Sequence, residues 1–155
     1  MKNNFFYKRQ FSNIYKDTSK FSEVTSQILY GEKFKILSEN KDWIKIKSLF
    51  DNYVGYIKNE KYVKNYKPTH KVYNLKAAIF SKLNKKTKNF LPFGSKISII
   101  KENKNFVEFE NNKWLKKSDL QKNIKSRYLY KQLDENNHDP VNFFNKTKIF
   151  GHDEN

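Results

Sequence analysis

Three short runs decide the reading of this chain: Lys33-Phe34-Lys35-Ile36, Trp43-Ile44-Lys45-Ile46-Lys47 and Tyr53-Val54-Gly55-Tyr56-Ile57. In the first two, apolar and lysine side chains alternate with a period of two, which turns one strand face inward and the other to water. The polar link Ser38-Glu39-Asn40-Lys41-Asp42 is rich in turn-formers. Further along, Lys71-Val72-Tyr73, Lys96-Ile97-Ser98-Ile99-Ile100 and Phe106-Val107-Glu108-Phe109 continue the β pattern, with Lys101-Glu102-Asn103-Lys104-Asn105 as a second polar link. Short strands at this spacing predict an all-β chain built as small barrels or sandwiches.

The two halves of the chain can be laid on one another. Ile14-Tyr15 answers Ile79-Phe80, Leu29-Tyr30-Gly31 answers Pro92-Phe93-Gly94, and Phe34 to Leu37 answers Ile97 to Ile100. Trp43 to Ile46 then answers Phe106 to Phe109, and Gly55-Tyr56-Ile57-Lys58 answers Lys113-Trp114-Leu115-Lys116. The glycines and the Trp43/Phe106 pair are 63 residues apart, the last match only 58, so the second copy has a shorter loop before its final strand. Gly31 and Gly94 each precede a strand, where a turn with positive φ excludes a side chain. Gly55, inside a strand run, marks a bulge or a close backbone approach. Trp43 and Trp114 read as core anchors of the two barrels.

Composition bounds the function. Of 155 residues, 32 are Lys or Arg and 16 are Asp or Glu, a net charge of +16. Thirty of the basic residues are lysine, and alanine is confined to Ala77 and Ala78, a bias that AT-rich coding explains in large part. The charge attracts polyanions non-specifically and in a salt-dependent way. The 14 Phe, 10 Tyr and 2 Trp supply a core despite a mean hydropathy of −0.95. Cysteine is absent, so disulfides, thiolate metal sites and a cysteine nucleophile are excluded within this chain. His70, His138 and His152 fit no metal-ligand spacing, Asp134-Glu135 and Asp153-Glu154 read as solvated pairs, and neither a phosphate loop nor a GxSxG elbow occurs. No cofactor is expected. No apolar run is long enough to span a bilayer or to form a signal peptide, and the expectation is a cytoplasmic protein.

Gln27-Ile28-Leu29-Tyr30-Gly31-Glu32, then Trp43 at the end of a turn, then Asp51-Asn52-Tyr53-Val54-Gly55-Tyr56-Ile57 resembles the first bacterial SH3 domain of NlpC/p60 cysteine peptidases. The stretch from Thr69 through Ile79-Phe80-Ser81 to Leu91-Pro92-Phe93-Gly94-Ser95 is similar to that family's second SH3 domain. Asn52 stands where the family has glycine, and asparagine also tolerates a left-handed turn. Asp139-Pro140-Val141 through Phe144 to Ile149-Phe150-Gly151-His152 is similar to the opening of the peptidase domain, with a short helix expected after Asp139-Pro140. The family's catalytic cysteine and histidine would lie beyond that point.

The resemblance implies two tandem SH3-like small barrels at residues 11–66 and 67–121. An extension at 1–10 would precede them, and a linker with a truncated peptidase start at 122–155 would follow. It implies a non-catalytic module that recognises peptidoglycan-derived peptides and gates their entry, in a chain without the hydrolytic half. Glu32, Asp51, Tyr53 and Tyr56 are the ligand-binding candidates: a carboxylate can pair with the free amino end of such a peptide, and a tyrosine can supply a directed hydrogen bond and a packing surface. The alternative is a basic nucleic-acid-binding module on the same small barrels, which predicts salt-dependent retention and aromatic quenching.

Overall fold

The computed structural model describes residues 4–82 and 85–122. The expected linker, the helix after Asp139-Pro140, the peptidase-like start, His138 and His152 lie outside the described residues. The chain divides between Tyr66 and Lys67 into two compact units. Every described element is a β-strand except one 3-10 turn, Lys117–Asp119, so the described residues are all-β.

In the first unit the strands are β1 (Asn4–Tyr7), β2 (Phe11–Tyr15), β3 (Val24–Leu29), β4 (Lys33–Glu39), β5 (Trp43–Ser48), β6 (Val54–Lys58) and β7 (Tyr62–Val63). They form one antiparallel sheet in the order β3-β2-β6-β5-β4-β1-β7. Alternation places Ile14, Ile28, Phe34, Ile44, Ile46 and Ile57 on the inner face, all at 0% exposure, with Tyr7 beside them. Each such side chain contributes about 1.5–3 kcal/mol by leaving water. The register slips between Ile36 and Ser38, where the exposed Leu37 is the extra residue. Such a bulge sharpens the local twist and lets a long strand turn the corner of a small barrel.

Within the expected extension at 1–10, the described residues do not stand in front of the barrel. Asn4–Tyr7 is a full strand between β4 and β7, and Tyr7 is buried in the core. Burial of its phenol, with lesser effects from Ser12, Glu60 and Arg9, pushes its pKa up to about 12. Nor is Trp43 a core anchor. Ile44 and Ile46 take the inward positions of β5, which leaves Trp43 half-buried on the outer face. Trp114, by contrast, is 9% exposed.

The second unit contains β8 (His70–Val72), β9 (Lys76–Ser81), β10 (Lys85–Pro92), β11 (Lys96–Ile97), β12 (Lys101–Glu102), β13 (Phe106–Glu110), β14 (Lys113–Lys116) and β15 (Leu120–Lys122). Its two sheets run β10-β9-β14-β13-β12 and β11-β8-β15. Written end to end, that is the strand order of the first unit with the counterpart of β4 cut in two. The continuous strand expected from Lys96 to Ile100 is interrupted because its start pairs with β8 and its continuation with β13. The first barrel takes the same corner with a bulge. Both units are SH3-like small barrels.

Hydrogen bonds repeat along with strands. Asn40 Oδ1 accepts from the backbone N–H of Asp42 and Trp43, and Asn103 Oδ1 accepts from those of Asn105 and Phe106. Thr25 Oγ1 donates to the Ile14 carbonyl at 3.1 Å and Thr87 Oγ1 to the Ile79 carbonyl at 2.6 Å.

Candidate functional site

The turn after β3 holds the first candidate. Gly31 has φ 80°, and its N–H donates to the Tyr7 carbonyl at 2.7 Å. The Glu32 N–H donates to the Leu29 carbonyl at 3.0 Å, while Glu32 Oε1 accepts from the Leu29 N–H at 3.0 Å. Glu32 is 2% exposed, so its carboxylate is a clasp of the turn. The second barrel explains why the residue there differs. Gly94 has φ 94° and the same backbone pattern, yet Pro92 stands where the first barrel has Leu29. Proline has no N–H to offer a carboxylate. The residue in place of Glu32 is Ser95, whose Oγ donates to the Pro92 carbonyl at 2.8 Å.

The loop between β5 and β6, residues 49–53, carries two more candidates. Asn52 adopts φ 61°, its N–H donates to the Ser48 carbonyl at 2.8 Å, and Leu49 N–H donates to the Lys33 carbonyl at 3.1 Å. Asp51 is fixed at both oxygens: Oδ2 accepts from Ser26 Oγ at 2.8 Å, and Oδ1 from the Tyr53 N–H at 3.3 Å. Tyr53 is 51% exposed, with Leu49 and Phe50 also at the surface. The second barrel has only Asn111 and Asn112 at this place, so the loop belongs to the first barrel alone.

The structure therefore brings Asp51 and Tyr53 together. It fastens Asp51 and Glu32 to β3 at residues three apart, about 10 Å along a strand. Tyr56 belongs to a different surface. On the outward side of the sheet it lies opposite Tyr15 and Lys45, and the Lys45 ammonium is 6.0 Å from its ring centroid. Tyr15 meets Trp43 edge-on at 6.0 Å, and the Lys58 ammonium lies 5.0 Å from the Trp43 centroid. Neither Tyr53 nor Tyr56 is core packing.

Sequence reasoning missed Ser26, the residue that orients Asp51; its signal was a serine on the inward phase of β3 beside Ile28. It also missed the Tyr15–Trp43 pair, whose signal was the phase of Trp43 relative to Ile44 and Ile46. Chemically, the loop offers an oriented acceptor and an exposed phenol. Among the described residues no group of three or more His, Asp or Glu could hold a metal ion. No helix among them is long and apolar enough to cross a membrane.

Residues 14–61 match the family described as the bacterial dipeptidyl-peptidase SH3 domain. Among solved structures, the chain is similar to an NlpC/p60 family protein from Bacillus cereus, with a TM-score of 0.60 at 12% identity. That likeness covers 76% of this chain and 55% of the other, so the chain spans little more than half of that protein's length. No curated protein matches by sequence. The family match falls on the first barrel, and the likeness to the NlpC/p60 protein is one of fold.

Proposed function

We propose that this NlpC/p60-associated SH3 protein recognises peptidoglycan-derived peptides through the 49–53 loop of its first barrel. The observation that carries the reading is the oriented Asp51 carboxylate beside exposed Tyr53, on a loop the second barrel lacks. A carboxylate accepts up to four hydrogen bonds. Two are used within the protein, and the remaining acceptor capacity suits an ammonium. Tyr53 supplies a surface for a small side chain and a hydroxyl for a directed bond. The family match to a dipeptidyl-peptidase SH3 domain supports the peptide class. With no cysteine in its 155 residues, the chain contributes recognition and no thiolate chemistry. We place its action in the cytoplasm, on peptides rather than on assembled wall.

The test is a titration of the labelled protein with an L-Ala-D-Glu peptide bearing a free amino end. Amide shifts centred on Ser26, Asp51 and Tyr53 are expected, with none from the N-acetylated peptide. Asp51→Asn should weaken binding by about 10- to 100-fold, the scale of a hydrogen bond to a charged group. Unchanged spectra at millimolar peptide, or equal shifts from the acetylated form, refute the proposal.

A further inference from the structure

The outward face of the first barrel differs from that of the second in one respect that composition does not explain. Along β5, Lys45 and Lys47 point outward, and across the sheet Lys35 stands directly opposite Lys47. Lys33 on β4 and Lys58 on β6 extend the group to five. Among the described residues none of the five has an acidic partner within ion-pair distance. Three lean on aromatic rings instead: Lys33 on Phe6 at 5.8 Å, Lys45 on Tyr56 and Lys58 on Trp43. Like charges placed directly across a sheet cost stability, so the arrangement works against folding unless something anionic covers it.

At the places of Lys45 and Lys47 the second barrel has Glu108 and Glu110. Glu110 pairs with Lys113 at 3.1 Å and Glu108 lies 3.9 Å from Lys101. A lysine surplus drifting in with codon usage would fall on both barrels alike. Residues 67–122 are in fact the more basic part, with fourteen lysines against four acidic residues, whereas residues 1–66 carry thirteen basic residues against seven acidic. Among the described residues, Lys85, Lys86 and Lys88 on β10 of the second barrel also lack an acidic partner, but on the first barrel the unpaired lysines of β5 coincide with the half-buried aromatic row Tyr15, Trp43 and Tyr56.

We propose that this face binds single-stranded nucleic acid, independently of the peptide loop. Phosphates would lie along Lys35, Lys45 and Lys47: the last two are two residues apart on β5, about 6.7 Å along the strand, and Lys35 stands across from Lys47 on β4. Bases would rest against Trp43, Tyr56 and Tyr15, displacing the Lys45 and Lys58 ammonium groups towards the phosphates. Small β-sheet faces bind single strands in this way, combining a cationic groove with aromatic platforms.

The experiment titrates the full chain with a labelled oligothymidylate of about 20 nucleotides, longer than the roughly 4–16 that comparable sites cover. Lys45→Glu/Lys47→Glu installs the second barrel's own residues, a change that kind of barrel tolerates. Binding should weaken at least tenfold. The slope of log affinity against log salt should become shallower by about 1.4, which is about 0.7 for each of the two phosphates left without its lysine. Lys85→Glu/Lys86→Glu makes the same change in net charge on the more basic barrel and should leave binding within a factor of about two. Oligothymidylate should quench tryptophan emission, and Trp43→Phe, the residue found at position 106, should abolish the quench. Equal loss in both charge variants, a quench surviving Trp43→Phe, or equally tight binding of an inorganic polyphosphate of matched charge would each overturn the proposal.

Discussion

Replacing Gly55 by alanine is the sharpest test of how the first barrel closes. Gly55 sits on β6 with its Cα facing inward, where β6 crosses β2. A methyl group there would lie 2.5 Å from Ile14 Cγ2, 2.6 Å from the Tyr15 carbonyl oxygen and 3.2 Å from Thr25 Oγ1. The side-chain clash can be relieved by a rotamer change of Ile14 only at the expense of the core, since that residue is fully buried. The carbonyl cannot move without opening the β2–β6 ladder. Ordinary overpacking costs about 1–3 kcal/mol, and a clash with fixed backbone belongs at or above the upper end. At about 0.05–0.15 kcal/mol per residue, a barrel of this size has roughly 3–10 kcal/mol in total. Gly55→Ala should therefore remove a third of its stability or more.

Urea unfolding followed by tryptophan emission measures this, with Trp43 reporting the first barrel and Trp114 the second. The transition carried by Trp43 should move to lower urea, with its midpoint falling by about 1.5 M for a 3 kcal/mol loss at an m-value near 2 kcal/mol/M. A Trp43 transition unchanged in Gly55→Ala would refute the close approach of β6 to β2, and with it the sheet order assigned to this unit.

Glu32→Ala leaves the Leu29 N–H without its side-chain acceptor and should cost the first barrel about 1–3 kcal/mol; Glu32→Gln, which keeps an amide oxygen, should cost clearly less, as read from the same urea transitions. Tyr7 keeps its proton longer when folded, so the native state favours the neutral phenol and stability falls as pH rises from 10 towards about 12, by up to about 3 kcal/mol. Tyr7→Phe should flatten that alkaline loss in thermal melts. The His70 pKa is lowered, first by burial and then by the Lys122 ammonium. Its neutral form is favoured in the fold, so the second barrel should lose stability as pH falls through about 6.5, and His70→Gln should remove that step.

The strands around residues 43–48 and 54–58 were legible because alternation is a local signal, and Gly31, Gly94 and Asn52 because positive φ restricts which residues fit. What escaped reading depends on partners distant in sequence. The run Asn4–Tyr7 has no alternation of its own and becomes a strand by pairing with β4, some thirty residues away. The Ser26–Asp51 bond that orients the candidate site spans 25 residues. Trp43 was misplaced for another reason: its size suggested burial, but the isoleucines after it fix its phase.

The two barrels also separate what the fold requires from what it merely permits. Positions that keep their chemistry in both copies are turn hardware: the glycines before the fourth strand, the asparagine caps at 40 and 103, and the threonine hydroxyls at 25 and 87. Where the chemistry changes, a compensating change marks a structural role, and Glu32 with Leu29 against Ser95 with Pro92 is such a pair. The 49–53 loop and the outward lysines of β5 have no such compensation. Nothing in barrel closure demands a five-residue loop, since two asparagines suffice in the second copy, and nothing demands lysine where glutamate pairs well. By this logic Glu32 belongs to the scaffold, while Asp51, Tyr53, Lys45 and Lys47 are the residues free to serve a ligand. A substitution series should then split into two groups. Changes at Glu32 and Gly55 would be read in stability, and changes at Tyr53, Lys45 and Lys47 in binding with the unfolding free energy held within about 0.5 kcal/mol of its starting value, while a change at Asp51, which also accepts from the buried Ser26 hydroxyl, would be read in both.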